Sequence, residues 1–62
     1  MPNVSIELFE GTDIEERQAI VDGVTRTLVS ALGVAPERVR IRFVDLKPYD
    51  VARNGSFVFP SH

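Results

Sequence analysis

Hydrophobic and polar residues alternate in the first segment of the chain, over residues 3–9. The apolar positions are Val4, Ile6 and Leu8. The polar positions between them are Asn3, Ser5 and Glu7. A period of two is the pattern of a strand with one buried face. We therefore predict a half-buried strand that ends before Gly11.

The spacing of the apolar residues changes to three or four between Thr12 and Gly33. The resulting stripe is typical of an amphipathic helix and comprises Ile20, Val21, Val24, Leu28, Ala31 and Leu32. Thr12 and Glu15 match the capping box, so we predict that Thr12 caps the helix and that Gly33 ends it. Arg17 falls on the polar, solvated side. Gly23 costs roughly 1 kcal/mol relative to alanine in mid-helix, so we interpret it as a close approach by another backbone.

A second alternating segment, residues 39–46, predicts a second strand. Strand, helix and strand in this order predict a βαβ unit with parallel strands and a right-handed crossover. Asn54 and Gly55 lie between apolar residues and are a strong signal for a β-hairpin. The predicted fold class is α+β, a short βαβ unit with a C-terminal hairpin that forms one domain over residues 1–62.

The composition is that of one globular domain, with 62 residues, 44% hydrophobic, and a net charge of −2. The chain has no cysteine and its single histidine is His62, so we expect no metal and no cofactor. Mild, dispersed acidity argues against a nucleic-acid partner. The apolar runs are too short for a membrane span and the N-terminus does not resemble a secretory signal, so a cytoplasmic location is expected.

The small size of the chain predicts that it assembles with copies of itself. A domain of this length buries only about 60% of its unfolded surface, and no disulfide or thiolate metal site is available to compensate. A two-stranded sheet covered by one helix leaves one face and two edges open. The aromatic residues Tyr49, Phe57 and Phe59 also need a partner surface. We therefore expect a homo-oligomer.

Candidate chemistry begins at Pro2. Methionine is usually removed before a small second residue, and removal of Met1 leaves Pro2 as a secondary amine at the start of a strand. Such an amine becomes a general base when an apolar pocket disfavours its charged form. Many proteins begin with Met-Pro, so the signal is weak alone. If Met1 is retained, Pro2 is an amide and has no basic nitrogen.

Other segments give Pro2 a context. They are the run IELFEG at residues 6–11, the run PERVR at residues 36–40, and the asparagine-glycine turn. With Pro2 and the length of the chain, they resemble the 4-oxalocrotonate tautomerase family. The resemblance covers essentially all 62 positions. It implies a trimer of dimers, a homohexamer whose sites are built from neighbouring subunits, and an isomerase whose terminal proline moves a proton between carbons of an enol or dienol acid.

The resemblance assigns roles to two residues. Pro2 falls on the catalytic proline. Arg40 falls on the arginine that an adjacent subunit contributes to bind the substrate carboxylate and to polarise the neighbouring oxygen. A guanidinium suits this role because it grips a carboxylate bidentately and stays charged. The other interpretation of Arg40 is a solvated arginine on a strand face.

The sequence departs from the family at two substrate-binding positions. A second family arginine, which holds the distal carboxylate of a diacid, is replaced by Thr12. The aromatic residue that shields the proline aligns with Val51, and Tyr49 lies two residues earlier. A diacid such as 2-hydroxymuconate is therefore expected to lose one anchor, and the proline to lose part of its apolar cover.

Arg42 is a candidate to replace the substrate anchor that is lost at Thr12. It lies two residues from Arg40, on the same strand face and about 7 Å away. Paired arginines resemble the dehalogenase and decarboxylase branches of the family, which hold short acids. Alternatively, Arg42 pairs with Asp45, with Glu7 or with a neighbouring chain. Three functions stay open: a tautomerase with Pro2 as base, a hydratase or dehalogenase of a short unsaturated acid with protonated Pro2 as acid, and a non-catalytic oligomer.

Overall fold

A computed structural model describes residues 1–58, and predictions on Phe59 and His62 lie outside the described residues. The main elements are strand β1 (Asn3–Phe9), helix α1 (Ile14–Leu32) and strand β2 (Arg40–Leu46). A short hairpin follows, made of β3 (Ala52–Arg53) and β4 (Ser56–Phe57). Single 3₁₀ turns at Pro36–Arg38 and Pro48–Asp50 precede β2 and β3. The predicted βαβ unit and C-terminal hairpin are confirmed.

Strands β1 and β2 are parallel neighbours, as predicted. Asn3 lies opposite Arg40 and Phe9 lies opposite Leu46, with no bulge between. The guanidinium of Arg17, on α1, lies 5.0 Å from the centre of the Phe43 ring, on β2. Phe43 lies opposite Ile6 of β1, so α1 lies on the face of the sheet that carries the alternating apolar residues. The opposite face carries the polar positions, among them Arg40, and no helix of the described chain covers it.

The N-terminal cap of α1 is Asp13, so the prediction of Thr12 as the cap is wrong by one residue. The Asp13 carboxylate accepts a hydrogen bond from the Glu16 amide at 2.8 Å, and the Glu16 side chain accepts one from the Asp13 amide at 3.0 Å. Both Thr12–Glu15 and Asp13–Glu16 match the capping-box spacing. The physical reason for the shift is that the helix starts at Ile14, which leaves Thr12 outside the capping position.

Arg17 is not a solvated residue of the helix start. Its Nε donates a hydrogen bond to the Thr12 hydroxyl at 3.0 Å, and its terminal nitrogen forms an ion pair with Asp45. The guanidinium also lies over the Phe43 ring, so only 28% of the side chain is exposed. A long arginine side chain can fold back over an apolar surface, and here it ties the start of α1 to the end of β2.

The glycines at the turns confirm two predictions. Gly33 follows α1 in the left-handed region at φ 66°, and its amide bonds to the Val29 carbonyl at 2.9 Å. Asn54 and Gly55 have φ of 53° and 80°, which suits a two-residue hairpin turn. The close approach expected at Gly23 is not found within the described chain, since a Cβ added there would meet no atom within 4 Å.

The chain has no fully buried side chain among its described residues. Its radius of gyration is 14.4 Å, against about 10.5 Å for a compact domain of this length. Its accessible surface is 5,027 Å², against about 4,000 Å² for a compact monomer of this mass. A single chain therefore leaves most of its apolar side chains in partial contact with solvent.

Within residues 1–58, no helix is long and apolar enough to cross a membrane.

Candidate active site

Pro2 lies at the start of β1 in a cavity of about 270 Å³. Its carbonyl accepts a hydrogen bond from the Arg40 amide at 3.1 Å, which fixes the beginning of β1 against β2. The cavity is lined by Met1, Pro2, Val34, Ala35 and Arg38. Val34 and Ala35 belong to the connection after α1, so the fold brings an apolar wall to the residue predicted to be the base.

Arg38 is the charged residue of this cavity, and it is not among the residues that the sequence pattern singles out. The 3₁₀ turn Pro36–Arg38 places it there, with its amide bonded to the Ala35 carbonyl at 3.0 Å. Its Nη1 lies 3.6 Å from the Met1 sulfur. The signal in the sequence is a basic residue two positions before Arg40, in a turn without periodicity to show which way it points.

Arg40 and Arg42 line a different cavity, of about 310 Å³, on the open face of the sheet. Across from them on β1 lie Asn3 and Ser5, which line the same cavity. Both arginines are exposed. In residues 1–58 neither forms an ion pair. The alternative in which Arg42 pairs with Asp45 is not observed, because Asp45 pairs with Arg17.

Thr12 lies at the far end of β1 from Pro2. The seven-residue strand between them spans about 23 Å, so the two residues cannot meet in one chain. The Thr12 hydroxyl accepts the hydrogen bond from Arg17, which leaves its own proton available to donate. The structure thus separates Thr12 from Pro2 while holding its side chain in place.

Tyr49 and Val51 belong to the segment that leads into the hairpin. The Tyr49 ring meets Phe57 edge to face, with centroids 5.2 Å apart, and 68% of Tyr49 is exposed. The Val51 carbonyl accepts the Val58 amide at 2.7 Å. Neither residue lines the Pro2 cavity. Within one chain, Pro2 and Arg38 therefore share one cavity, and Arg40 and Arg42 share another. Neither cavity is lined by Thr12, Tyr49 or Val51.

The βαβ fold and the cavity around Pro2 together define a class of protein. Comparisons of the sequence and the structure with known proteins identify that class. The family described as "Tautomerase enzyme" matches residues 2–58. A probable tautomerase from Ralstonia nicotianae is 34% identical over 55 residues, covering 89% of this chain and 85% of that protein. A 2-hydroxymuconate tautomerase from Comamonas testosteroni is 37% identical over 46 residues, covering 74% and 73%.

Solved structures agree with these relatives. A 4-oxalocrotonate tautomerase isozyme from Methylibium petroleiphilum superposes with a TM-score of 0.85 at 28% identity, over 90% of this chain and 88% of that one. A trans-3-chloroacrylic acid dehalogenase structure superposes with a TM-score of 0.83 at 19% identity, over 92% and 98%, a likeness of fold alone. The chain belongs to the tautomerase family, in its 4-oxalocrotonate tautomerase group. The resemblance inferred from the sequence is confirmed.

Proposed function

We propose that this protein is a tautomerase of small enol or dienol acids, with Pro2 as the general base once Met1 has been removed. The observation that carries the proposal is the cavity around Pro2, whose walls include Val34 and Ala35. Apolar walls disfavour the protonated form of an amine, which leaves its lone pair free to accept a proton.

The proposed reaction is a proton transfer with no net change in composition. The Pro2 nitrogen takes a proton from the enol form of the acid and returns it to a carbon further along the conjugated system. Negative charge develops on the oxygen beside the carboxylate during the transfer. A fixed guanidinium aimed at that oxygen stabilises the transition state.

We assign that guanidinium to Arg40 of a neighbouring copy. Arg40 is bonded to Pro2 through its backbone, but its side chain lines the cavity on the open sheet face and not the Pro2 cavity. The Arg40 side chain of a second chain is not held on the open face of this chain's sheet, so it can enter the Pro2 cavity. In methionine-free protein, Arg40→Ala should raise KM and lower kcat. An unchanged kcat/KM would contradict the role.

The proposal includes assembly into a homo-oligomer, a hexamer by resemblance to the family. The absence of a fully buried side chain in residues 1–58 supports it. In such an assembly, Thr12, Tyr49 and Val51 of neighbouring copies would line the substrate site. A cytoplasmic location stays a prediction.

The experiment that tests the proposed function compares wild-type protein with Pro2→Ala. Intact mass first shows whether Met1 is absent. Ketonisation of 2-hydroxymuconate and of phenylenolpyruvate is then followed by absorbance. We expect Pro2→Ala to lose about 100-fold or more in kcat, the usual contribution of a general base. Equal rates for the two proteins would exclude Pro2 as the base.

A second candidate function is hydration or dehalogenation of a short unsaturated acid. The observation that favours it is the pair Arg40 and Arg42, which share one cavity and have no ion-pair partner in the described chain. Here protonated Pro2 would give its proton to one carbon while the hydroxyl of a water molecule adds to the other, and the remaining proton of that water returns to Pro2. With 3-chloroacrylate, the chlorohydrin formed in this way then loses HCl and leaves an aldehyde acid. Turnover of 3-chloroacrylate that is lost in Arg42→Ala would favour this function. A protein inactive on all three acids would favour the third function, a non-catalytic oligomer.

A further inference from the structure

We propose that Asn54 and Gly55, at the tip of the C-terminal hairpin, form a site of spontaneous chemical modification. The Asn54 side chain loses ammonia to the Gly55 backbone amide, and water then converts the product mainly to isoaspartate. Isoaspartate lengthens the backbone of a turn that holds two residues between its paired positions. The modification opens the hairpin as the protein ages, and the proposal is independent of the proposed function.

The reaction consumes water and needs no cofactor. A base in the solvent removes the proton of the Gly55 amide, and the nitrogen attacks the side-chain carbonyl carbon of Asn54. The bond from that carbon to the side-chain nitrogen breaks, the nitrogen takes up a proton and leaves as ammonia, and a succinimide ring remains. One water molecule opens the ring at either carbonyl. The product is aspartate or isoaspartate, and the net change is the exchange of ammonia for water.

The first support is the conformation of the turn. Asn54 and Gly55 lie between the paired residues Arg53 and Ser56, and both are exposed. Their φ angles are 53° and 80°, and a positive φ is unfavourable for a residue with a Cβ, such as Asn54. Gly55 has no Cβ to keep the attacked carbon away from its amide nitrogen. An asparagine followed by glycine therefore closes the ring more readily than one followed by a larger residue.

The second support is that hydrogen bonds do not hold the reacting groups. In a two-residue hairpin the bonds of the ladder lie outside the turn. Among residues 1–58, neither the Gly55 amide nor the Asn54 side chain has a hydrogen-bond partner. The Gly55 nitrogen can therefore lose its proton to solvent base without first giving up a bond within this part of the chain.

The third support is the weak attachment of the hairpin. Strands β3 and β4 have two residues each, and the bond from the Val58 amide to the Val51 carbonyl extends their pairing. A hairpin of this size is marginally stable by itself, so its local opening costs little free energy. Opening gives Asn54 the torsional freedom that closure of the ring needs.

Asn3, the other asparagine of the chain, provides an internal comparison. It lies in β1 opposite Arg40, and its side chain donates a hydrogen bond to the Met1 carbonyl at 3.4 Å. The next residue is Val4, whose branched side chain is stiff and hinders attack by its own amide nitrogen. We therefore expect modification at Asn54 and not at Asn3.

The consequence for the hairpin follows from the route of the backbone. In isoaspartate the backbone runs through the former side chain, which adds one carbon to the turn and leaves a new carboxylate there. The rings of Tyr49 and Phe57 meet with centroids 5.2 Å apart, and Phe57 lies in β4, directly after the turn. A longer turn displaces β4 and breaks this contact. Tyr49 is the single tyrosine and the chain has no tryptophan, so tyrosine fluorescence reports on the contact.

The test is incubation of the whole protein at physiological temperature, at mildly acidic and at mildly alkaline pH. An endoproteinase that cuts before aspartate then releases residues 50–62, because Asp50 is the last aspartate of the chain. We expect this peptide to gain one mass unit with time, and faster at the higher pH, because the amide must lose its proton. The enzyme cuts the peptide again where Asn54 has become aspartate and leaves it whole where isoaspartate has formed. The peptide that carries Asn3 should keep its mass.

Asn54→Asp is the matched control, because it adds the charge without lengthening the backbone, and aspartate tolerates a positive φ. The isoaspartyl form, separated by anion exchange, should differ from fresh wild type in tyrosine fluorescence, and freshly purified Asn54→Asp should not. An unchanged mass of the peptide 50–62, or equal rates at Asn54 and Asn3, would overturn the site. Equal fluorescence of the isoaspartyl form and fresh protein would overturn the opening of the hairpin.

Discussion

Single residues decide what the sequence could and could not show about the site. Pro2 was predicted because an N-terminal proline has its own chemistry, whatever the fold. Arg38 was missed because a 3₁₀ turn has no periodicity, and its contact with Met1 depends on residues 37 positions apart in sequence. The solvated position predicted for Arg17 is wrong because periodicity gives only the direction in which Cβ leaves the helix. The long side chain folds back from there, so that its guanidinium lies over the Phe43 ring.

The Arg17 contacts lead to a prediction about stability. Arg17→Ala should lower the free energy of unfolding by about 1–2 kcal/mol, because an ion pair, a hydrogen bond and a cation–π contact are lost together. Chemical denaturation with Arg26→Ala as a control measures this. Similar losses in the two variants would show that the contacts around Arg17 contribute nothing.

At the scale of elements, the sequence predicts the type and order of the strands and the helix well, and the residues at which they begin and end less well. Alternation and helical spacing identified both strands and α1, since burial of one face imposes those periods. The start of α1 was ambiguous because two overlapping capping boxes, at Thr12 and Asp13, satisfy the same pattern. The close approach of another backbone that is expected at Gly23 is not made by any of residues 1–58.

The cap assignment is tested by a pair of substitutions at adjacent residues. Asp13→Ala should destabilise the fold by about 1 kcal/mol, because the Glu16 amide loses its partner. Thr12→Ala should cost less, since it removes only the hydroxyl that accepts from Arg17. Thermal unfolding of both variants gives the comparison, and a larger cost at Thr12 would contradict the cap at Asp13.

At the scale of the whole molecule, the sequence predicted the need for partners but not where the site residues meet. Chain length limits burial, and the structure has no fully buried side chain in residues 1–58. Which cavity a side chain lines depends on three-dimensional packing. For that reason the separation of Arg40 from the Pro2 cavity could not be derived from spacing.

A site shared between copies predicts complementation. Pro2→Ala and Arg40→Ala, each strongly impaired alone, should regain about a quarter of wild-type activity when refolded together in equal amounts, since random assembly pairs an intact Pro2 with an intact Arg40 at that frequency. Sedimentation should show a multiple of the 6.9 kDa chain. A folded monomer, or a mixture without activity, would contradict the shared site.

The most direct test of the central claim is titration of the Pro2 amine in methionine-free protein, followed by ¹⁵N NMR of labelled proline. A general base with apolar walls should have a pKa near or below about 7, and kcat/KM should rise with pH through the same value as the amine loses its proton. A pKa well above about 8 would leave Pro2 protonated at neutral pH, contradict the base, and favour the acid role in hydration.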